Sequence, residues 1–165
     1  SRDYEEFIAA LNDHGARYLI VGAYAGAFHA RPRATRDLDM LLDPTPANAK
    51  KVLAALRDFF GGTDLGYTVT DLTDPQWIVQ LGVAPVRIDL FSELPGCPHF
   101  EAAWRNRVEA RFGSVKTYYL GLDDLIRSKE SAGRAQDRAD VRALRRAEAP
   151  ARPAKRSGRR PPKRG

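Results

Sequence analysis

The chain has 165 residues, 43% of them hydrophobic, and a formal net charge of +6. This length fits one domain with a core of ordinary size, and no apolar stretch approaches the roughly 20 residues of a membrane span, so we expect no membrane partner. One cysteine, Cys97, excludes an intramolecular disulfide, and the three histidines lack zinc-site spacing, which together favour a protein of the reducing cytoplasm.

The positive charge is concentrated at the C-terminal end. Residues 149–165 contain seven of the 27 basic residues and no acidic one, so residues 1–148 hold 20 basic and 21 acidic side chains and a net charge of −1. The terminal stretch lacks the apolar side chains that would offset ordering entropy. We therefore predict a globular domain over 1–148 and a disordered basic tail over 149–165. Such a tail either strengthens RNA or DNA binding through phosphates or is a solvated extension without a dedicated partner.

The first half of the domain is predicted to contain three helices and two strands. In chain order these are a helix over 3–11, a strand over 17–21, a helix over 23–30, a strand over 37–42 and a helix over 46–60. Apolar residues recur every three or four positions in the first and last of these helices. Gly22 breaks the first strand, whereas Thr45 as cap and Pro46 as first residue mark the start of the third helix.

The second half is richer in predicted strands. Residues that favour β-structure predict strands over 67–70, 77–81, 86–91, 107–112 and 115–119, and helices follow over 122–132 and 136–146. Gly82 and Pro85 indicate a hairpin, and Gly133 separates the last two helices. The order indicates an α/β (or α+β) fold with one mixed β-sheet flanked by helices and closed by C-terminal helices.

Three aspartates lie inside apolar strands. Successive strand side chains point to opposite faces, so Asp37 and Asp39 share one face and Leu38 lies on the other. The strand of Asp89 can present this acid beside Asp39, although an acid facing solvent on an edge strand is the simpler alternative. Carboxylates about 4 Å apart in a partly buried site repel by roughly 4 kcal/mol at an effective dielectric near 20. A bound divalent metal ion is the simplest way to offset this repulsion.

A glycine turn precedes the first two acids. Gly22 lies between a predicted strand and helix, where glycine lets the backbone approach a ligand and the helix N-terminus offers unpaired N–H groups. By itself such a glycine is most often only a turn. Mg²⁺ is usually held by one or two carboxylates together with substrate phosphates, so Asp37, Asp39 and a triphosphate would complete one site. Asp89 could share ions with them or accept the proton of an attacking hydroxyl.

The order of these residues resembles a known family. Gly22-Ala23, thirteen further residues, Asp37-Leu-Asp39 and the distant Asp89 are similar to the pattern of the nucleotidyltransferase superfamily. Within it, the chain resembles the small bacterial branch that includes abortive-infection and toxin–antitoxin nucleotidyltransferases. This closer resemblance spans about residues 5–146 and is carried by segments 21–29, 33–39 and 122–126 and by Lys129, Arg134, Asp137 and Asp140.

The resemblance implies a reaction and a role for each motif. The reaction is a metal-dependent transfer of a nucleoside monophosphate from a nucleoside triphosphate (NTP) to an acceptor hydroxyl, with release of pyrophosphate. Asp37, Asp39 and Asp89 would bind Mg²⁺ or Mn²⁺, and Gly22 with Ala23 would hold the phosphates of the donor. RNA 3′ ends, protein side chains and small aminoglycoside-like molecules all present acceptor hydroxyls, and the basic tail favours RNA among them. The branch implies a cognate toxin or antitoxin protein as a partner.

Further positions follow from the same resemblance. Lys129 would reach phosphate, and Arg33 and Thr35 would steady the acids or contact the triphosphate. The alternative for the last two is a surface arginine and a strand threonine. We expect His29 to be a packing or capping residue rather than a ligand. A structural ion-pair network is favoured over a catalytic role for Arg134, Asp137 and Asp140.

One residue departs from the family pattern. The second turn residue is Gly or Ser in the superfamily and Ala23 here, and alanine lacks a hydroxyl and adopts positive φ less readily than glycine. This leaves open a non-catalytic module that binds nucleotide or pairs with a toxin or antitoxin. A carboxylate–metal phosphohydrolase or nuclease is a third alternative, but it has no need of the glycine turn before Asp37.

Overall fold

The computed structural model describes residues 2–30, 37–83 and 85–148. The described residues form seven helices and six strands. The helices are α1 (Arg2–Asp13), α2 (Gly22–His29), α3 (Pro46–Phe59), α4 (Val69–Thr73), α5 (Phe100–Arg105), α6 (Leu122–Ala132) and α7 (Ala135–Glu148). The strands are β1 (Tyr18–Val21), β2 (Asp37–Leu42), β3 (Ile78–Val83), β4 (Val86–Phe91), β5 (Val108–Phe112) and β6 (Val115–Tyr119). None of the described helices combines the length and apolar character needed to cross a membrane.

The six strands form one mixed sheet with the order β3-β4-β2-β1-β6-β5. Strand β2 pairs antiparallel with β1 and parallel with β4, and β1 pairs parallel with β6. The two outer hairpins, β3 with β4 and β5 with β6, are antiparallel. The predicted mixed sheet flanked by helices is therefore confirmed.

The core explains why the central strands lie where they do. All four residues of β1 are buried, as are the apolar residues of one face of α1. Helix α1 packs on α3, whereas α6 and α7 pack on each other and on α2. On the apolar side of β2, Leu38 and Met40 are fully buried.

Local signals set several of the element boundaries as predicted. The Thr45 hydroxyl accepts a hydrogen bond from the backbone N–H of Asn48 at 3.2 Å, and Pro46 is the first residue of α3. Gly133 ends α6 in the left-handed conformation, with φ 69°. Both features act within a few residues of the chain, so they could be inferred without the tertiary structure.

The structure differs from the predictions in three places. The predicted strand over 67–70 is wrong, because the Thr68 and Asp71 side chains each bond the other's backbone amide in a capping box, which starts helix α4. Helix α5 was not predicted. Strand β4 lies between β3 and β2, so the alternative of Asp89 on an edge strand is also wrong. The predicted tail over 149–165 lies outside the described residues.

Candidate active site

The acidic site is built by two parallel strands in register. Asp39 of β2 pairs with Asp89 of β4, and Asp37 pairs with Arg87. Asp37 and Asp39 are half-buried, whereas the alternate residue Leu38 is fully buried in the core. Strand alternation therefore places the two β2 acids on the same side of the sheet, and the parallel pairing brings the third acid next to Asp39.

The glycine turn is packed directly against the acids. Gly22 is the first residue of α2 and has φ 65°, and a Cβ atom at this position would overlap the Asp39 carboxylate. Antiparallel pairing of Val21 with Asp39 across β1 and β2 fixes this contact. The absence of a side chain at Gly22 is therefore required both by its backbone conformation and by the space that Asp39 occupies.

Ala23 has an ordinary helical place. It is the second residue of α2, and positive φ occurs only at glycines within the described residues. The turn thus requires the left-handed conformation at Gly22 and not at the next residue. Alanine keeps the backbone N–H group at this helix start, so its conformational cost is not an obstacle to phosphate binding.

The acids carry more negative charge than their surroundings balance. Burial raises the pKa of Asp39 to about 6, and the charges of Asp89 and Asp37 act in the same direction. Arg87 opposes this shift, but its effect is smaller. Asp89 is 9% exposed, and its Oδ1 atom has no aligned hydrogen-bond donor among the described residues. One arginine, Arg87, pairs with these three acids among the described residues, so the site carries net negative charge.

Arg87 is a site residue that the sequence analysis missed. Its Nη2 atom lies 2.8 Å from Asp37 Oδ2 and 3.3 Å from Asp89 Oδ2, and its Nε atom lies 3.2 Å from Asp89 Oδ1. The guanidinium thus bridges two of the three acids. The available signal was its position two residues before Asp89, since strand alternation places both on the same face.

Tyr4 lies on the buried face of α1 and also contacts β4. Its hydroxyl donates to the Arg87 carbonyl and accepts from the Arg87 amide, both at 3.1 Å. Burial raises the pKa of Tyr4, and the charges of Asp37 and Asp39 raise it further, while the hydrogen bond to the Arg87 backbone lowers it. Tyr4 therefore holds the β4 backbone beside the acids, a role that helical periodicity alone cannot reveal.

The donor set fits a divalent cation. Carboxylate oxygens are the ligands that Mg²⁺ and Mn²⁺ prefer, and one or two of them suffice when phosphates supply the rest. Asp39 and Asp89 meet this requirement as a pair. Among the described residues no three acidic, histidine or cysteine side chains are arranged as a complete metal site, and Arg87 lies against Asp37 and Asp89.

A small cavity lies next to the glycine turn. It has a volume of about 110 Å³ and is bounded by residues of α2, α6 and α7, including Ala23, Lys129 and Asp140. Lys129 Nζ lies 2.9 Å from Asp140 Oδ2, and the lysine side chain is 11% exposed. The structure therefore brings Lys129 to the same cavity as the start of α2, where it forms an ion pair.

The remaining predicted residues have structural contacts or lie outside the described residues. Arg134 Nε, just before α7, lies 2.6 Å from Asp137 Oδ2 in its first turn. The ion pairs Lys129–Asp140 and Glu130–Arg145, both at 2.9 Å, join α6 to α7. His29 Nε2 lies 2.7 Å from the Leu120 carbonyl oxygen, which ties the end of α2 to the chain after β6. The predicted roles of Arg33 and Thr35 fall on residues outside the described ranges.

Comparison with known proteins supports the same family. A family profile described as "Nucleotidyltransferase of unknown function (DUF6036)" matches residues 2–146. No curated protein matches the chain significantly. The matched region contains the glycine turn, all three acids, Arg87 and Lys129. The chain therefore belongs to this family of nucleotidyltransferases of unknown function.

Proposed function

We propose that this protein transfers a nucleoside monophosphate from an NTP to an acceptor hydroxyl in a reaction that depends on Mg²⁺ or Mn²⁺. The observation that carries the proposal is the contact between Gly22 and Asp39, with Asp89 paired beside Asp39. A helix start that offers N–H groups to phosphate thus adjoins carboxylates that lack a full set of counter-charges.

Each part of the site has a task in this reaction. The N–H groups at the start of α2, from Gly22 and Ala23, hold the donor's phosphates. Asp37, Asp39 and Asp89 would hold the cation, which neutralises charge on the phosphate oxygens when bound. Lys129 would leave Asp140 to contact a phosphate oxygen, since both side chains line the cavity beside the turn.

The chemical step is an in-line displacement at the α-phosphorus. The acceptor oxygen forms a bond to phosphorus, and the bond from phosphorus to the bridging oxygen breaks, so that pyrophosphate leaves. Asp89 would accept the proton of the attacking hydroxyl, because the register of β2 and β4 places it beside Asp39 at the site where the cation and the phosphates would meet.

RNA is the acceptor that we propose. The resemblance to abortive-infection and toxin–antitoxin nucleotidyltransferases supports RNA, and so do the seven basic residues in the 149–165 segment. A cognate toxin or antitoxin protein is the partner implied by the same resemblance. If the tail binds phosphates, RNA labelling by the full chain should fall steeply between about 50 and 200 mM salt. Replacement of the seven basic residues by glutamine should flatten this dependence.

Labelling with α-labelled NTPs tests the reaction directly. The full chain is incubated with each of the four NTPs, Mg²⁺ or Mn²⁺ and total RNA or cell extract, and labelled products are identified by mass spectrometry. Asp39→Asn should abolish labelling. Glu109→Gln is the matched control, because it makes the same change of charge on β5, at the far edge of the sheet. Absence of labelling with all four nucleotides would overturn the proposal, and labelling by Asp39→Asn would remove the metal role.

Arg87 favours one second candidate, a non-catalytic module that binds nucleotide or pairs with a toxin or antitoxin. Its guanidinium already supplies a positive charge to Asp37 and Asp89. Calorimetry separates the two candidates. A binding module takes up NTP without turnover and without a requirement for metal, whereas the enzyme needs the cation for tight binding and releases pyrophosphate.

A further inference from the structure

We propose that Arg87 is an internal counter-ion that competes with a divalent cation for Asp37 and Asp89 and so sets the metal affinity of the site. This inference rests on the metal site of the proposed function. It concerns the chain's own arginine, which neither the superfamily pattern nor the family description includes.

Arg87 occupies the side of Asp37 and Asp89 that a bound cation would need. The guanidinium uses Nη2 to reach both Asp37, at 2.8 Å, and Asp89, at 3.3 Å. A cation bound to the same two side chains would have to lie among the oxygens that Arg87 now contacts. Direct coordination of both acids and the present position of the guanidinium therefore exclude each other.

The backbone of Arg87 is held more firmly than its side chain. Its backbone is fixed, because Tyr4 bonds both its amide and its carbonyl and β4 is paired on both sides. Its side chain is held less well. It is 34% exposed, and Nε lacks an aligned acceptor although Asp89 Oδ1 is 3.2 Å away. The guanidinium can therefore turn away from the acids without any movement of the sheet.

Arg87 and a bound metal ion would both offset the negative charge of the acids. Three carboxylates share this side of the sheet, and Arg87 is the opposing charge that acts on Asp39. Without a metal, Arg87 offsets part of the repulsion among the three carboxylates. With a metal, Arg87 adds repulsion. A single and a double positive charge about 5 Å apart repel enough, even at the dielectric constant of water, to lower the metal affinity by roughly tenfold or more. Nucleotide phosphates would offset that repulsion, so the metal should bind tightly only together with the NTP.

Mn²⁺ binding tests this inference without any measurement of transfer. Free Mn²⁺ is measured by electron paramagnetic resonance during titration of the full chain, with no nucleotide present. Arg87→Gln should bind Mn²⁺ about tenfold or more tightly than the unaltered protein. Arg107→Gln is the matched control, because this arginine also pairs with a strand carboxylate, Glu109, but lies away from the acids. It should leave the affinity unchanged.

Melting temperatures and a second variant distinguish a folding defect from a change in metal affinity. Arg87→Gln should lower the melting temperature of the metal-free protein, and Mn²⁺ should restore more of it than in the unaltered chain. If Arg87→Gln does not fold, Arg87→Lys takes its place. It keeps the charge but cannot bridge two acids with one planar group, so its Mn²⁺ affinity should exceed that of the unaltered protein.

The outcomes separate this inference from the proposed function. Equal or weaker Mn²⁺ binding by Arg87→Gln overturns the competition, as does an absence of Mn²⁺ binding by both proteins. Tighter binding together with no nucleotide labelling would leave the counter-ion role standing and remove the transferase proposal. Labelling with an unchanged Mn²⁺ affinity would do the reverse.

Discussion

Polar side chains have opposite roles near the two ends of strand β2. Beyond its C-terminal end, Asn48 accepts from the Arg17 amide at 2.7 Å and donates to the carbonyls of Arg17 and Asp43, each at 3.0 Å. At the start of the strand, Asp37 and Asp39 face Asp89 with Arg87 as their counter-charge. The first arrangement uses polar groups to join segments of the fold. The second leaves an excess of negative charge, which is what a cation site requires.

The comparison predicts that activity and stability depend on different ends of the strand. The largest effect is expected for Asp39→Asn, which should reduce nucleotidyl transfer by on the order of a thousandfold. Its stability at pH 8 should be unchanged or higher, because one of three repelling charges is removed. Labelling rates and melting temperatures measured on the same samples check this. A large loss of stability would mean that Asp39 is a structural residue.

Asn48→Ala should lower stability and leave transfer activity intact, the reverse of Asp39→Asn. It removes three hydrogen bonds and leaves the Arg17 amide and the Asp43 carbonyl without the Asn48 side chain, at a cost of about 2–4 kcal/mol in the free energy of unfolding. Transfer by the folded fraction should persist. Urea unfolding measures the change, and Thr45→Ala, which loses only the cap of α3, should cost about 1 kcal/mol.

The dependence of stability on pH should separate the two ends as well. The pKa of Asp39 is about 6 in the fold against 3.8 for an ordinary aspartate, so between these values the folded form binds more protons than the unfolded form. Its contribution to stability therefore falls as pH rises through this window, by on the order of 2–3 kcal/mol in the metal-free protein. The difference in unfolding free energy between the unaltered chain and Asp39→Asn measures this effect. Mg²⁺ should reduce it at pH 7, and a difference that grows more favourable to the unaltered chain with pH would contradict the assignment.

The smallest effect concerns the glycine turn. Gly22→Ala and Gly15→Ala both place a side chain at positive φ, with φ 65° and 68°, but only the first would meet Asp39, and nothing lies within 4 Å of the second. Both should lose roughly 1 kcal/mol from backbone strain. Gly22→Ala should lose about 1–2 kcal/mol more, together with transfer activity. Equal losses in urea unfolding would show that the close approach to Asp39 is unimportant.

The element boundaries that the sequence predicts correctly are those set by local interactions. The boundaries of α3 and α6 follow from Thr45, Pro46 and Gly133, which act within one turn of their helices. The predicted strand over 67–70 is wrong, although β-favouring residues precede Asp71 there. The capping box between Thr68 and Asp71 outweighed their propensity. A propensity that spans about 1 kcal/mol is easily reversed by two cap hydrogen bonds.

The chain by itself determined the acidic pattern and the glycine turn. Asp37 and Asp39 share a face because strand side chains alternate, and Gly22 ends a strand before a helix; both are properties of neighbouring residues. Only the tertiary structure decided that Arg87 bridges Asp37 and Asp89 and that Tyr4 holds the Arg87 backbone. The Arg87–Asp37 and Tyr4–Arg87 contacts join residues 50 and 83 positions apart. They depend on the parallel register of β2 and β4 and on the packing of α1, which are set by burial of the whole core and by no single motif.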